Sequence, residues 1–276
     1  MSDNRILTIQ DISCVGQCSL TVALPIISAC GIECAVLPSA VLSTHTAGFT
    51  GFTCRDLTAD IPAIADHWER EGIRFRAVYT GYLGSTEQID MVADIFDRLC
   101  PDGVKIVDPA MADNGSLYPA FDKAYADAMG TLCRKADFIL PNITEACFLT
   151  RLPYRTEYDG SYIRDLLAAL HRLCPGTVVL TGVSYATGHT GVVVSTPERD
   201  DYYQHELLPN SCHGTGDIYA SAFVGALMRG RTTFEAAKIA ADYTVGCIRA
   251  TAGDPNHWYG AKFEIALPQL IRALES

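Results

Sequence analysis

The feature of this chain best suited to chemistry is a glycine-rich turn, Gly214-Thr215-Gly216-Asp217, between a strand-like run and a small-residue helix. The two glycines let backbone N–H groups at the start of that helix point into open space, and the helix dipole adds partial positive charge. The turn therefore predicts an anion site that needs no lysine. A carboxylate at Asp217 repels a bound phosphate, but it has a use there if it takes a proton from a hydroxyl that attacks a phosphoryl group. The alternative is that Asp217 only stabilises the helix dipole.

Further polar residues follow the predicted strands at their C-terminal ends. In a doubly wound α/β fold these ends share one edge of the sheet, so the side chains can converge. The residues are Asp11, Tyr82, Asp108, Asn142 with Glu145, and Thr181, after strands predicted at 5–10, 77–80, 104–107, 138–140 and 177–180. Asp108 and Glu145 offer the hard oxygen ligands that Mg²⁺ prefers. Taken alone, Asn142 and Glu145 fit a helix cap and capping box better than a ligand site.

The scaffold for these residues is predicted by alternating strand-like and helical patterns, which indicate a mostly parallel sheet with helices on both faces. The polar segments 41–49 and 110–119 are interpreted as loops or flaps. The aromatic, turn-rich segment 254–260 fits either a nucleotide cap or a dimer seam. With no linker or repeat, one domain over 1–276 is expected. Helices are predicted at 19–29 (kinked or starting late because of Pro25), 61–71, 87–99, 120–135, 162–173, 218–230 and 234–250, with further strands at 32–37, 191–195 and 202–208.

The composition of the chain limits the kinds of partner that it is expected to bind. A net charge of −11 over 276 residues opposes binding to nucleic acid and to anionic membranes, and therefore favours a small-molecule partner. The most apolar stretch, 21–37, is interrupted by Pro25, Gly31 and Glu33, so no membrane span is expected. The 11 cysteines form no CxxC pair and no signal peptide is evident, which together predict a reducing cytoplasm.

Several common catalytic motifs are missing from the sequence. There is no GxxxxGK[ST], which excludes a P-loop enzyme, and no GxGxxG, which weakens a dinucleotide dehydrogenase. GxSxG and HExxH are also missing. The missing motifs leave both interpretations of Asp217 open, phosphoryl transfer and stabilisation of the helix dipole.

Over nearly its whole length the sequence resembles the ribokinase-like superfamily and, within it, the pyridoxal kinases. GTGD is typical of the superfamily as a whole, whereas TGYLGS together with STHT points to the vitamin B6 branch. The resemblance is carried by IQDISCVGQCSL (9–20), STHT (43–46), TGYLGS (80–85), DPAMAD (108–113), PNITEA (141–146), VVLTG (178–182) and GTGD (214–217).

This resemblance implies a ribokinase-like fold with a small flap, 43–51, over the site. It also implies transfer of the γ-phosphoryl of ATP to the 5′-hydroxyl of pyridoxal, pyridoxine or pyridoxamine by a homodimer. By the same resemblance Asp217 is the base, and Asp108 and Glu145 organise Mg²⁺ with a monovalent cation such as K⁺ nearby. The remaining implied roles are an anion hole of Gly214, Thr215 and Gly216, an ATP site of Asn142, Thr181, Gly182 and the anion-hole residues, and an acceptor site of Asp11, Ser13, His45, Thr46 and Tyr82.

The sequence departs from the pyridoxal kinase pattern in two places. Asp11 stands where many pyridoxal kinases have a serine, and a carboxylate there could pair with a protonated ring nitrogen or an amine. At Asp11 and at the pair Cys212-His213 the sequence also resembles the hydroxymethylpyrimidine kinases. Phosphorylation of hydroxymethylpyrimidine is therefore the alternative activity. His45 taken alone fits a structural hydrogen-bonding role better than a ligand contact. A third possibility is a non-catalytic protein that binds a vitamer or a nucleotide.

Overall fold

The structure is a computed structural model that describes residues 5–209 and 212–275. Asn210 and Ser211, which begin the segment leading to the glycine-rich turn, lie outside the described residues. The strands are β1 (Arg5–Ser13), β2 (Glu33–Leu42), β3 (Cys54–Asp56), β4 (Ala77–Thr80), β5 (Val104–Val107), β6 (Ala112–Asp113), β7 (Ser116–Leu117), β8 (Phe138–Ile139), β9 (Thr177–Thr181), β10 (His189–Ser195) and β11 (Asp200–Glu206). The helices are α1 (Leu20–Ala29), α2 (Ile61–Arg70), α3 (Thr86–Leu99), α4 (Lys123–Cys133), α5 (Ile143–Thr150), α6 (Gly160–Leu173), α7 (Thr215–Met228), α8 (Thr233–Thr251) and α9 (Phe263–Glu275).

Within the described residues the central sheet has nine strands in the order β11-β10-β9-β8-β5-β4-β1-β2-β3. The pairs from β2 through β1, β4, β5 and β8 to β9 are parallel, and only the pairs at the two edges are antiparallel. Because β1 lies between β2 and β4, the chain changes direction across the sheet at this point. The crevice at the carboxyl ends of β1 and β4 is therefore where ligands bind in such folds.

Hydrophobic side chains cover both faces of the sheet. In β1, Leu7 and Ile9 pack in one core cluster with residues of α2 to α6, whereas Ile6 packs in the other with residues of α1, α7, α8 and α9. Burial on both sides explains why the parallel strands are nearly continuous apolar runs. The predicted mostly parallel α/β fold with helices on both faces is thus confirmed.

Several element boundaries differ from the prediction. β1 continues to Ser13, and a register shift between Gln10 and Ile12 places Asp11 at an irregularity of the strand. α1 begins before Pro25, at Leu20, so of the two alternatives expected for Pro25 the late start is wrong and the kink stays a prediction. The segment 110–119, interpreted as a loop or flap, contains the β6–β7 hairpin. β3 and α9 had not been predicted, because β3 is a three-residue polar edge strand and α9 contains Pro268. No helix in the described ranges has both the length and the apolar character that a bilayer crossing requires.

Candidate active site

The N-terminus of α7 carries the glycine-rich turn at the carboxyl edge of the sheet. Gly214 is the N-cap with φ +76°, and a Cβ there would collide with the Gln17 carbonyl oxygen, so only glycine fits. A Cβ at Gly216 would meet no atom of the described residues within 4 Å, so the backbone there borders open space in this part of the structure. Among the described residues no side chain caps this helix, and its first N–H groups have no intrahelical partner. The local geometry is that of an anion site.

Asp217 lies in the first turn of α7 with a strongly altered affinity for protons. The pKa of its carboxyl is raised to about 7, mainly by burial; a hydrogen bond from the Ser19 backbone N–H acts against this, and the nearby Asp11 adds a smaller upward shift. A carboxyl that titrates near neutral pH is suited to accept a proton from a substrate hydroxyl.

Asp11 lies next to this group, at the end of β1, and is buried. The Ser13 hydroxyl donates to its Oδ2 over 3.0 Å and the Ser19 hydroxyl donates to its Oδ1 over 2.6 Å. Burial nevertheless raises the pKa of Asp11 above the ordinary value. A buried carboxylate whose proton affinity is raised favours a cationic partner, such as a protonated ring nitrogen or an amine.

Ser19 joins the two carboxyls, because its hydroxyl bonds Asp11 while its backbone N–H bonds Asp217. Its backbone has φ +55° and ψ −134°, a combination that costs energy for a residue with a side chain. Sequence reasoning had assigned Ser19 only to a helix. Its hydrogen bonds depend on backbone angles that no local pattern indicated.

Asp108 and Glu145 lie close enough to influence each other and are both buried. The pKa of Asp108 is raised well above its ordinary value by burial, then by Glu145 and Asp217. Burial also raises the pKa of Glu145, to about 7, against hydrogen bonds from three backbone N–H groups. The groups that shift Asp108 most are acidic, so the negative charge here is uncompensated and fits a divalent cation.

Glu145 is also the capping-box residue that its spacing from Asn142 predicted. Its Oε2 accepts from the Asn142 N–H over 2.8 Å, and its Oε1 accepts from the Met111 N–H over 3.1 Å. The described residues contain no group of three or more His, Cys, Asp or Glu arranged to hold a metal ion. Two carboxylates with water and phosphate oxygens are nevertheless the usual ligand set of Mg²⁺.

The expected nucleotide-binding residues Asn142, Thr181 and Gly182 line one cavity of about 480 Å³. Asn142 and Thr181 form a parallel β-bridge across it. The Asn142 side chain already accepts from the Glu145 N–H and donates to the Ala112 carbonyl oxygen, both over 2.9 Å. The structure therefore brings the three residues together, while Asn142 has a structural task as well.

Other residues of this cavity had not been predicted. They come from the β6–β7 turn, the turn after β9, and above all the irregular segment 151–159 between α5 and α6. Tyr158 holds the turn after β9, because its hydroxyl accepts from the Ser184 N–H over 3.0 Å. These residues are Asn114, Tyr154, Arg155, Thr156, Glu157, Tyr158 and Ser184.

On the acceptor side, Tyr82 lies close to Asp11. Burial raises the pKa of the Tyr82 hydroxyl to about 12, and Asp11 is the next largest cause. The ring packs on Phe121 with centroids 5.2 Å apart, which leaves Tyr82 half-buried. Thr46 is exposed in the segment between β2 and β3.

His45 uses both of its ring nitrogens for backbone contacts. Nδ1 accepts from the Ala47 N–H over 3.1 Å, so the proton is on Nε2, which donates to the Tyr259 carbonyl oxygen over 2.8 Å. Neither nitrogen is left for a substrate. The contact of His45 with the acceptor stays a prediction, and it would have to use the edge or the face of the ring.

These contacts join two segments over the site: the flap (43–51, between β2 and β3) and the aromatic loop (254–260). Phe49 of the flap packs against Trp258 of the loop with ring centroids 4.6 Å apart. His45 packs against Phe49 and against His213, beside the glycine-rich turn, at 5.0 and 5.5 Å. The aromatic loop therefore packs against the flap, which the sequence had not indicated, and its use as a nucleotide cap or a dimer seam stays a prediction.

The fold and this arrangement of carboxyls around a helix N-terminus define a member of the ribokinase-like kinases. Residues 24–261 match the phosphomethylpyrimidine kinase family, and the chain belongs to that family. It is 36% identical to a Bacteroides thetaiotaomicron protein, provisionally assigned as a phosphomethylpyrimidine kinase and crystallised with pyridoxal (TM-score 0.90, 96% and 95% of the two chains). It is 30% identical to the pyridoxal kinase of Lactobacillus plantarum (TM-score 0.91, 98% of each chain). It is 29% identical to the pyridoxine/pyridoxal/pyridoxamine kinase of Bordetella bronchiseptica over 259 residues, 89% of each chain. The predicted relationship to the pyridoxal kinases is confirmed.

Proposed function

We propose that the protein transfers the γ-phosphoryl group of ATP to the 5′-hydroxyl of pyridoxal, pyridoxine or pyridoxamine. The observation that carries the proposal is Asp217, a carboxyl whose pKa is raised to about 7, in the first turn of an uncapped helix bordered by open space. Proton acceptor and anion site are thereby adjacent, as phosphoryl transfer to an alcohol requires. The relatives named for vitamin B6 compounds support the choice of acceptor.

In this mechanism Asp217 takes the proton of the acceptor hydroxyl as that oxygen attacks the γ-phosphorus, and the bond to the leaving oxygen of ADP breaks. The N–H groups of Gly214, Thr215 and Gly216 stabilise the charge on the transferred group. Asp108 and Glu145 would hold Mg²⁺, which supplies charge neutralisation at the phosphates. Catalysis then depends mainly on position and electrostatics, not on covalent chemistry at the protein.

The substrates occupy the two sides of this centre. The nucleotide lies in the cavity of Asn142, Thr181 and Gly182, where its phosphates reach the glycine-rich turn. The acceptor lies between Asp11 and Tyr82, with Ser13 fixing the Asp11 carboxylate and the flap residues His45 and Thr46 above it. The protein works as a single domain over 1–276, as a homodimer in the cytoplasm, with K⁺ or another monovalent cation beside the metal.

A second candidate acceptor is hydroxymethylpyrimidine, which the family match and the carboxylate at Asp11 both favour. Its ring is also flat, basic and hydroxymethylated, so the same residues would serve it in the same roles. The third possibility, a non-catalytic binding protein, does not account for a proton acceptor, paired carboxylates and an open helix N-terminus at one place.

The test is ADP release with Mg²⁺-ATP and K⁺ against pyridoxal, pyridoxamine, pyridoxine and hydroxymethylpyrimidine at equal concentrations. Mass spectrometry of the phosphorylated product separates transfer from hydrolysis. A preference for any B6 vitamer is the expected result, and the pyrimidine alone as substrate would establish the second candidate. ATP binding without ADP release for any acceptor would leave only a binding protein.

A further inference from the structure

The proposed nucleotide site faces an electrostatic difficulty. Asp11, Asp108, Glu145 and Asp217 lie around the centre, and the net charge of the chain is −11. A nucleoside triphosphate is itself strongly anionic, so its binding there needs positive charge close by. A metal ion and helix N–H groups supply part of it.

Arg155 is the one basic residue among the described residues that line the cavity of Asn142, Thr181 and Gly182. It comes from the segment 151–159, opposite the strand ends that carry Thr181 and Asn142. Its side chain is exposed and takes no part in the ion pairs found in the described ranges. Arg151, four residues earlier, is instead paired with Asp127.

The position of Arg155 is set by an aromatic ring. Its guanidinium lies over Tyr162 at 5.1 Å from the ring centroid. Tyr162 is itself fixed, because its hydroxyl donates to the Pro153 carbonyl oxygen over 2.9 Å and its N–H donates to Asp159 over 3.0 Å. A cation–π contact uses none of the guanidinium N–H groups as hydrogen-bond donors to a polar atom, so these groups remain for another partner.

We propose that Arg155 is a nucleotide-binding residue that donates hydrogen bonds to phosphate oxygens of ATP from the wall of this cavity. The planar fork of an arginine matches two oxygens of one phosphate, and in the described ranges Arg155 forms no ion pair with Asp113 or Glu157, the carboxylates that also line the cavity. The guanidinium above the Tyr162 ring thus offsets part of the negative charge of the site. This inference rests on the proposed function and specifies how the enzyme holds the phosphates.

The test is steady-state kinetics and direct titration of Arg155→Ala, with Arg155→Lys and Arg172→Ala alongside. Arg172 is an exposed arginine near the other end of α6, outside the cavity, so its variant controls for the loss of one surface charge. We expect Arg155→Ala to raise KM for Mg²⁺-ATP by about tenfold, since a charge-assisted hydrogen bond is lost. KM for the acceptor and the melting temperature should stay unchanged, Arg155→Lys should recover part of the loss, and Arg172→Ala should behave as wild type.

Titrations with ATP and with adenosine distinguish a phosphate contact from a contact to the base. Arg155→Ala should weaken ATP binding about tenfold, increasingly so at low ionic strength, and leave adenosine binding unchanged. Equal weakening of both ligands, or an unchanged KM for ATP in an active enzyme, would overturn the role of Arg155 and leave the proposed function intact. A wild-type protein that neither binds nor consumes ATP would remove the proposed function and this inference together.

Discussion

Replacing Asp217 by asparagine is the most direct test of the reaction chemistry. Asparagine keeps the size of the side chain and an acceptor for the Ser19 N–H, but it cannot take a proton. We expect kcat to fall by about 10²–10⁴, the usual contribution of a general base. ADP release with a saturating B6 vitamer measures the loss, and turnover within about threefold of wild type would remove Asp217 from the mechanism.

The pH dependence gives the same prediction a sharper form. With the pKa of Asp217 raised to about 7, only about a tenth of the carboxyl is ionised at pH 6, against about nine tenths at pH 8. kcat/KM for the acceptor should therefore fall about eightfold to tenfold when the pH is lowered from 8 to 6. A carboxyl with the ordinary pKa of 3.8 would give a flat profile over the same range. Because Asp11 raises the pKa of Asp217, Asp11→Asn should move the falling limb to lower pH. Wild type and Asp11→Asn are assayed with the same acceptor, so that the titration of the acceptor itself cancels in the ratio of their kcat/KM values.

Protein stability provides the control. The folded-state pKa of Asp217 lies above the unfolded value, so the folded protein retains a proton between about pH 4 and 7 that the unfolded chain releases. The contribution of this group to stability is therefore lost as the pH rises through 7. Asp217→Asn should melt a few degrees above wild type at pH 8, and the difference should shrink toward pH 5. A variant that melts well below wild type at pH 8 would mean that its lost activity reports damage to the fold.

Four other substitutions test the remaining parts of the site. Gly216→Ala should lower kcat/KM at least tenfold without changing the melting temperature, because the added methyl group meets no atom of the described residues but enters the space for the phosphate. Gly214→Ala should instead lower the melting temperature, because its methyl group collides with Gln17. His45→Ala should raise KM for the acceptor severalfold and leave KM for ATP unchanged in the same assay, because it unfastens the flap from the aromatic loop. Asp108→Asn should raise the Mg²⁺ concentration for half-maximal rate by about tenfold or more, as seen in a metal titration at fixed ATP. Equal melting temperatures of the glycine variants, a changed KM for ATP in the histidine variant, or an unchanged Mg²⁺ requirement would each contradict the corresponding role.

The parallel core of this fold was predictable because its signals are local. β4 and β5 were predicted with their bounds, since each is a short apolar run that ends at a glycine or at an Asp-Pro pair. The capping box of α5 was also predicted, because the spacing of Asn142 and Glu145 is sufficient to define it. Where a pattern of a few neighbouring residues determines the structure, sequence reasoning found the element.

Contacts between distant parts of the chain were not predictable in this way. The role of His45 depends on the Tyr259 carbonyl, 214 residues away, which takes the ring proton that a substrate contact would need. Arg155 lies in an irregular segment with no periodic pattern, and only the cavity shows what it faces. Residue types indicated which chemistry was present, while their hydrogen-bond partners came from the fold.

Glu145 shows why a structural and a functional interpretation need not exclude each other. A carboxylate that accepts several backbone N–H groups ordinarily has a low pKa, yet that of Glu145 is raised to about 7 because burial outweighs those bonds. The capping box therefore does not neutralise the residue; it fixes the carboxylate in direction and leaves its charge uncompensated beside Asp108. At the surface, water would offset the charge of such an N-terminal capping carboxylate. The buried carboxylate of Glu145 is instead held in place by the start of α5, and its charge beside Asp108 suits a cation. The hydrogen bonds that begin α5 therefore also position a ligand of the proposed metal site.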